Sequence, residues 1–95
     1  MPTDRHALRE LHTLFASVRN PKEAEMLIDD ILTPSEVASL VERWQLIQLL
    51  AKGVKQREIK KKLNISISKI TRGSHMLKNG GGGFMYFLRK LKKIH

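Results

Sequence analysis

Two helix starts with one grammar govern what this chain can fold into: Asn20-Pro21-Lys22-Glu23 and Thr33-Pro34-Ser35-Glu36. In each, Asn or Thr suits the N-cap, proline suits the first helical position, and a glutamate two residues on reaches back to the cap. Such paired signals fix helix boundaries more firmly than propensity does. The segment before them reads as helix as well. Leu8, Leu11, Leu14, Phe15 and Val18 share one helical face, with Thr3 or Asp4 as cap. The second helix carries Ala24, Leu27, Ile28, Ile31 and Leu32 as its stripe. The third runs to about Ala51, where Lys52-Gly53 closes it. Val37, Leu40, Val41, Trp44 and Ile47 form one stripe of that helix, and Leu46, Leu49 and Leu50 fall on its other sides. A helix apolar nearly all round must be buried all round. A second copy of the chain would bury it most economically, though a central helix of a monomer would also do so. Trp44, on an apolar stripe, is expected in the core.

Two shorter helices follow, roughly 55–63 and 67–78. Asn79 and the four glycines Gly80, Gly81, Gly82 and Gly83 then break the chain, and a last helix covers 84–94. No strand-like alternation runs for long, so the fold class is all-α with about six helices. Ninety-five residues make one domain, expected to divide into a 1–51 dimerisation core, a 55–78 pair of helices and the terminal helix.

Composition excludes several functions. There is no cysteine, which removes disulfide scaffolds, thiolate zinc sites and thiol catalysis. His6, His12, His75 and His95 lack metal-ligand spacing, and the acids are not paired in a glycine-framed cleft, so neither a metal site nor an enzyme is expected. No apolar run approaches a membrane span, and the first residues lack the apolar core of a secretory signal. A soluble cytoplasmic protein is expected.

The charge is informative once divided. Of the net +9, residues 1–51 carry five basic and eight acidic side chains, a net of −3. Residues 52–95 carry thirteen basic side chains and one acid, Glu58, a net of +12. One half is then expected to build the core and the other to meet a polyanion.

The basic half contains Gln56-Arg57-Glu58-Ile59-Lys60-Lys61-Lys62-Leu63-Asn64-Ile65-Ser66-Ile67-Ser68-Lys69-Ile70-Thr71-Arg72. Ile59 and Leu63 face inward from its first helix. Asn64 tolerates the left-handed backbone that a tight turn needs. Ile65 plugs the turn, Ser66 caps the second helix, and Ile70 and Leu77 bury its inner face. The outer face shows Ser68, Lys69, Thr71, Arg72 and His75, groups suited to base edges and phosphates. This is the pattern of a helix-turn-helix that lays its second helix in the major groove. An ordinary helical hairpin with a charged face would share part of it. Lys60, Lys61 and Lys62 are most simply phosphate contacts, adding affinity and salt dependence without sequence information.

Leu32-Thr33-Pro34-Ser35-Glu36, Gln56-Arg57-Glu58-Ile59-Lys60 and Ile70-Thr71-Arg72-Gly73-Ser74, followed by Leu77-Lys78, resemble the Trp operon repressor family in order and spacing. The resemblance covers roughly residues 29–91. It implies an intertwined all-helical homodimer that binds a palindromic double-stranded DNA operator as a transcriptional repressor, with L-tryptophan as corepressor in the best-known branch. By the same resemblance, Gln56, Arg57, Lys60, Ile67, Ser68, Lys69 and Thr71 match the DNA-facing positions. Thr33, Arg43, Arg72 and Gly73 match the ligand pocket, where two guanidiniums would sandwich an indole and meet a carboxylate. Arg43 in an ion pair and Arg72 on a phosphate are the plainer roles for those side chains. Met76 and Asp30 depart from the tryptophan-binding pattern, which leaves the effector open.

The competing class is a nonspecific nucleic-acid or membrane-surface binder. Phe84, Phe87, Leu88 and Leu91 line one side of the last helix, and Arg89, Lys90, Lys92 and Lys93 crowd the other side and its end.

Overall fold

The computed structural model describes residues 4–94, and these form six α-helices: α1 (Arg5–Ala16), α2 (Pro21–Ile31), α3 (Pro34–Ala51), α4 (Gln56–Leu63), α5 (Ile67–Asn79) and α6 (Gly83–Lys90). Thr3 and His95 lie outside the described residues. The caps behave as local chemistry dictates. Asp4 accepts from the His6 backbone N–H at 2.8 Å and starts α1. Asn20 accepts from the Glu23 N–H at 2.9 Å and starts α2. Glu23 does not reach back to Asn20. It takes the N–H of Arg19, one residue further out, at 2.9 Å.

At α3 the reciprocal box is complete. The Thr33 N–H donates to Glu36 Oε1 at 2.8 Å, and the Glu36 N–H donates to Thr33 Oγ1 at 3.2 Å. The bond from the Thr33 backbone, and secondarily that from its hydroxyl, hold the Glu36 carboxyl below the usual carboxylate range, against a smaller desolvation effect. A carboxyl whose folded pKa is depressed stabilises the fold above its unfolded pKa, and this stabilisation is lost as pH falls through the folded value. Acid titration followed by circular dichroism should therefore show wild type losing stability relative to Glu36→Gln below about pH 4.3. Parallel curves for the two proteins would remove the box as the cause.

The contacts divide into two compact units, one up to Val37 and one from Ala38. In the first, α1 and α2 bury no residue. Leu8, Leu11, Leu14, Phe15, Met26, Ile28 and Ile31 all lie open, between 37% and 59% exposed. Among the described residues these apolar side chains are left uncovered.

The second unit has a core. Leu46, Ile59, Ile65 and Ile70 form one buried cluster, with Leu49, Leu50, Val54 and Leu63 packed against it. At about 1.5–3 kcal/mol for each fully buried aliphatic side chain, this cluster is the main cohesive element of the unit. The leucines of α3 that fall off its main stripe, Leu46, Leu49 and Leu50, are thus the ones that grip the bihelical motif. Leu40 and Val41, on the stripe itself, are 44% and 55% exposed. All-round burial is therefore met only toward the C-terminal end of α3, where Leu46, Ile47 and Gln48 are all buried, and not around Leu40 and Val41.

Trp44 is not a core residue here. It is half-buried and stacks on Phe84, with ring centroids 6.4 Å apart. Leu77 is likewise half-buried rather than sealed in. Both line an apolar cleft of about 570 Å³ with Met76, Met85, Phe87 and Leu91.

Helix ends follow two versions of one device. After α3, Gly53 adopts φ +81°, and the N–H groups of Gly53 and Val54 cap the carbonyls of Leu50 and Leu49. After α6, Lys92 takes the same left-handed role at φ 57°, with Lys92 and Lys93 donating to Arg89 and Leu88. This stops α6 at Lys90, short of the expected end near residue 94. No glycine marks that stop, so the sequence gives no sign of it.

Candidate nucleic-acid interface

The local chemistry of 56–79 builds a bihelical head. Asn64 sits at φ 53°, ψ 50°, the left-handed turn conformation its side chain tolerates best among non-glycine residues. Ser66 then accepts the Lys69 backbone N–H at 3.2 Å and starts α5. Ile59 and Ile70 are 0% exposed and Ile65 is 6% exposed, so the three isoleucines lock α4, the turn and α5 to one another. The expected inner face is in place, with Leu77 only partly covered.

The opposite surface is open and basic. Gln56, Arg57, Lys60, Lys61 and Lys62 are exposed on α4, and Ile67, Ser68, Lys69, Thr71, Arg72 and His75 on α5. Every residue expected to face DNA is thus on the surface. The lysines occupy the last turn of α4, where the helix dipole favours cations. Arg57, Lys60 and Lys61 also line a shallow depression with Asn64.

Lys69 departs from a simple outward-pointing side chain. Its Nζ lies 2.9 Å from Glu42 Oε1 on α3. Sequence offers no signal for this pair, because the two residues are 27 positions apart and on different helices.

Behind α5 lies a cleft of about 140 Å³ lined by Ser39, Glu42, Arg43, Leu46, Lys69, Arg72, Gly73 and Met76. Three of the four residues expected to hold a ligand, Arg43, Arg72 and Gly73, therefore share one cavity. Among the described residues, neither guanidinium enters an ion pair. Met76 is part of the same wall. Thr33 belongs to the first unit, and its hydroxyl is engaged in the α3 cap. Asp30 lines a groove of that unit with Leu14, Val18, Met26 and Leu27.

Gly73 has a packing reason to be glycine. A β-carbon there would stand 2.7 Å from Leu46 Cδ2 and 3.2 Å from Leu46 Cγ. The absent side chain lets α5 approach α3 closely enough to form the cleft.

The family described as Trp repressor protein matches residues 6–92.

The chain belongs to the Trp repressor family.

Curated relatives agree. It is 45% identical over 87 residues to a Trp operon repressor homolog of Pasteurella multocida, covering 90% of this chain and 81% of the relative. It is 41% identical over 81 residues to a Trp operon repressor homolog of Mannheimia succiniciproducens, covering 84% and 79%. A Trp operon repressor homolog of Chlamydia caviae is 36% identical over 81 residues, covering 84% and 80%. No solved structure matches at a significant level. Trp repressor family members regulate transcription and are not enzymes, and the all-α fold with its bihelical head is the architecture such a regulator needs. Among the described residues, no helix is long and apolar enough to cross a membrane.

Proposed function

We propose that this chain is a cytoplasmic transcriptional repressor that binds a palindromic operator as a homodimer, with a small-molecule effector in the Arg43–Arg72 cleft for which L-tryptophan is the first candidate. The observation that carries the reading is the completed bihelical head, whose open face bears Ser68, Lys69 and Thr71 beside three exposed lysines. Hydroxyls and cations on a helix of this kind read base edges, while the lysines meet phosphates. Gln56, Arg57, Lys60 and Ile67 complete the DNA-facing set.

A second copy supplies what the single chain lacks. The apolar faces of α1 and α2, together with Leu40 and Val41, are uncovered. Residues 1–51 act as the dimerisation core, 55–78 as the reading head, and 84–94 as the terminal segment of one domain. The two heads then meet half-sites about one helical turn apart. Arg43 and Arg72 hold the carboxylate and stack on the aromatic ring of the effector, with Gly73 keeping the cleft open. The cleft residue Met76 argues for a pocket shaped differently from that of the tryptophan-binding branch. Calorimetric titration with L-tryptophan and other amino acids tests the effector. Absence of heat with tryptophan, beside tight operator binding without it, would remove the corepressor assignment.

Selection of bound duplexes from a genomic pool, with and without tryptophan, tests the whole reading. Enrichment of one palindromic site that survives rising salt is expected. Within that assay, Thr71→Ala is expected to weaken the selected site more than random duplex, by about 1–3 kcal/mol at the affected base step. Equal losses on both would mean that α5 does not read bases.

The nonspecific reading retains one observation in its favour. Tyr86, Phe87 and Leu91 are 50–59% exposed beside Arg89 and Lys90 on and just past α6. Equal affinity for every duplex, or retention on anionic vesicles, would favour that class.

A further inference from the structure

The Glu42–Lys69 pair stands apart from the rest of the charge pattern. Among the described residues it is the one ion pair that joins two helices. The other, His6–Glu10, lies within α1. It engages a lysine of the very face that meets DNA in the proposed function. The Glu42 carboxylate approaches Lys69 Nζ at 2.9 Å, the distance of a charge-assisted hydrogen bond, and thus occupies the ammonium much as a phosphate oxygen would. Both side chains keep solvent access, 57% exposed for Lys69 and 36% for Glu42, so the contact is open to exchange. The position of the cation is also constrained. The N-terminus of α5 is fixed by the Ser66 cap on the Lys69 N–H, and Gly73 holds the helix close against Leu46 of α3. Glu42 therefore faces Lys69 because of how α3 and α5 pack.

We propose that Glu42 is an affinity-setting residue that competes with DNA phosphate for Lys69, so that the recognition-helix lysine must leave its internal partner each time the protein engages a duplex. The proposal rests on the DNA-binding reading above. Binding then forfeits the internal ion pair. Glu42 also leaves its own charge uncompensated close to the polyanion. An exposed pair of this kind is weak, which suits a lysine that must change partner.

The consequence is opposite to that of an ordinary structural ion pair. Removing the carboxylate should strengthen function. Glu42→Gln is expected to tighten duplex binding about two- to fivefold, the range that an exposed ion pair supports. Removing any acid would favour a polyanion to some degree, so the single variant is not sufficient. The decisive measurement is a four-protein cycle: wild type, Glu42→Gln, Lys69→Gln and the double variant, each titrated with one duplex by fluorescence anisotropy at fixed salt. Circular dichroism of all four verifies that the helices are intact. The proposal expects Glu42→Gln to tighten binding clearly more in the wild-type background than once Lys69 is gone, where only the general effect of removing one negative charge remains. Equal tightening in both backgrounds, which general electrostatics predicts, would overturn it. So would no tightening in either. If wild type binds no duplex at all, the DNA-binding reading itself fails and this inference falls with it. Duplex binding with an additive cycle leaves that reading standing and removes the role of Glu42 alone.

Discussion

Ile70→Ala is expected to destabilise the protein by about 2–5 kcal/mol, the largest stability effect of any single substitution considered for this chain. Ile70 is 0% exposed and joins α5 to Ile59, Ile65 and Leu46. Truncating it removes apolar burial and leaves a cavity that the four-sided cluster cannot close without moving α5. For a small domain, such a loss is a large part of total stability. Urea denaturation followed by circular dichroism measures it directly. Ile67→Ala supplies an internal comparison, being the same substitution on the same helix at a position 43% exposed. It should cost no more than about 0.5 kcal/mol. Equal losses at both positions would contradict the burial pattern that defines the head. The pair also separates folding from recognition. Ile67→Ala should leave the fold intact while altering operator binding, whereas Ile70→Ala should lose both together.

Replacing Lys60, Lys61 and Lys62 together by Gln is expected to weaken duplex binding on the order of 10²-fold at about 0.1 M salt. Each lysine that meets a phosphate contributes about 0.9 to the slope of log affinity against log salt, so the slope should fall by up to about 2.7. Gln retains the helical stem and removes only the charge. The loss should therefore fall equally on operator and random duplex, because phosphates carry no sequence information. The melting temperature should change little, since all three side chains are exposed. A variant with an unchanged salt slope would show that these lysines are not phosphate contacts. A variant that lost operator preference more than random binding would place them at the bases instead.

These two experiments address features of different legibility. The lysine run, the Asn64 turn and the Ser66 cap are local, and each was readable because its physics lies within a few residues of chain. The capping box at Thr33 and Glu36 was readable for the same reason. Glu23 shows the margin of such readings: the right residue performs the right kind of capping but takes the N–H of Arg19 instead of Asn20. Lys92 shows where they stop. A left-handed lysine ends α6 early, and local sequence rules look for glycine there.

The partners of α3 were not legible. Its apolar residues surround the helix, so periodicity could not state which side meets which neighbour. Leu46, Leu49 and Leu50 turn out to pack in the core of the bihelical head, while Leu40 and Val41 stay exposed. Trp44, assigned to the core by its stripe, lies half-open against Phe84 because a cleft forms beside it.

The sequence by itself determined the six helices, most of their ends, the division of charge and the bihelical pattern of residues 56–79. Each of these follows from interactions among neighbours in the chain, or from simple addition of charge. Only the tertiary structure decided that Arg43, Arg72 and Gly73 share one cleft and that Gly73 must lack a side chain beside Leu46. It alone brought Glu42 to Lys69. These features depend on how closely α5 approaches α3, a distance set by packing between residues far apart in sequence. Periodicity names the face of a helix, and the depth of interlock between two faces decides which charges end up within reach of each other.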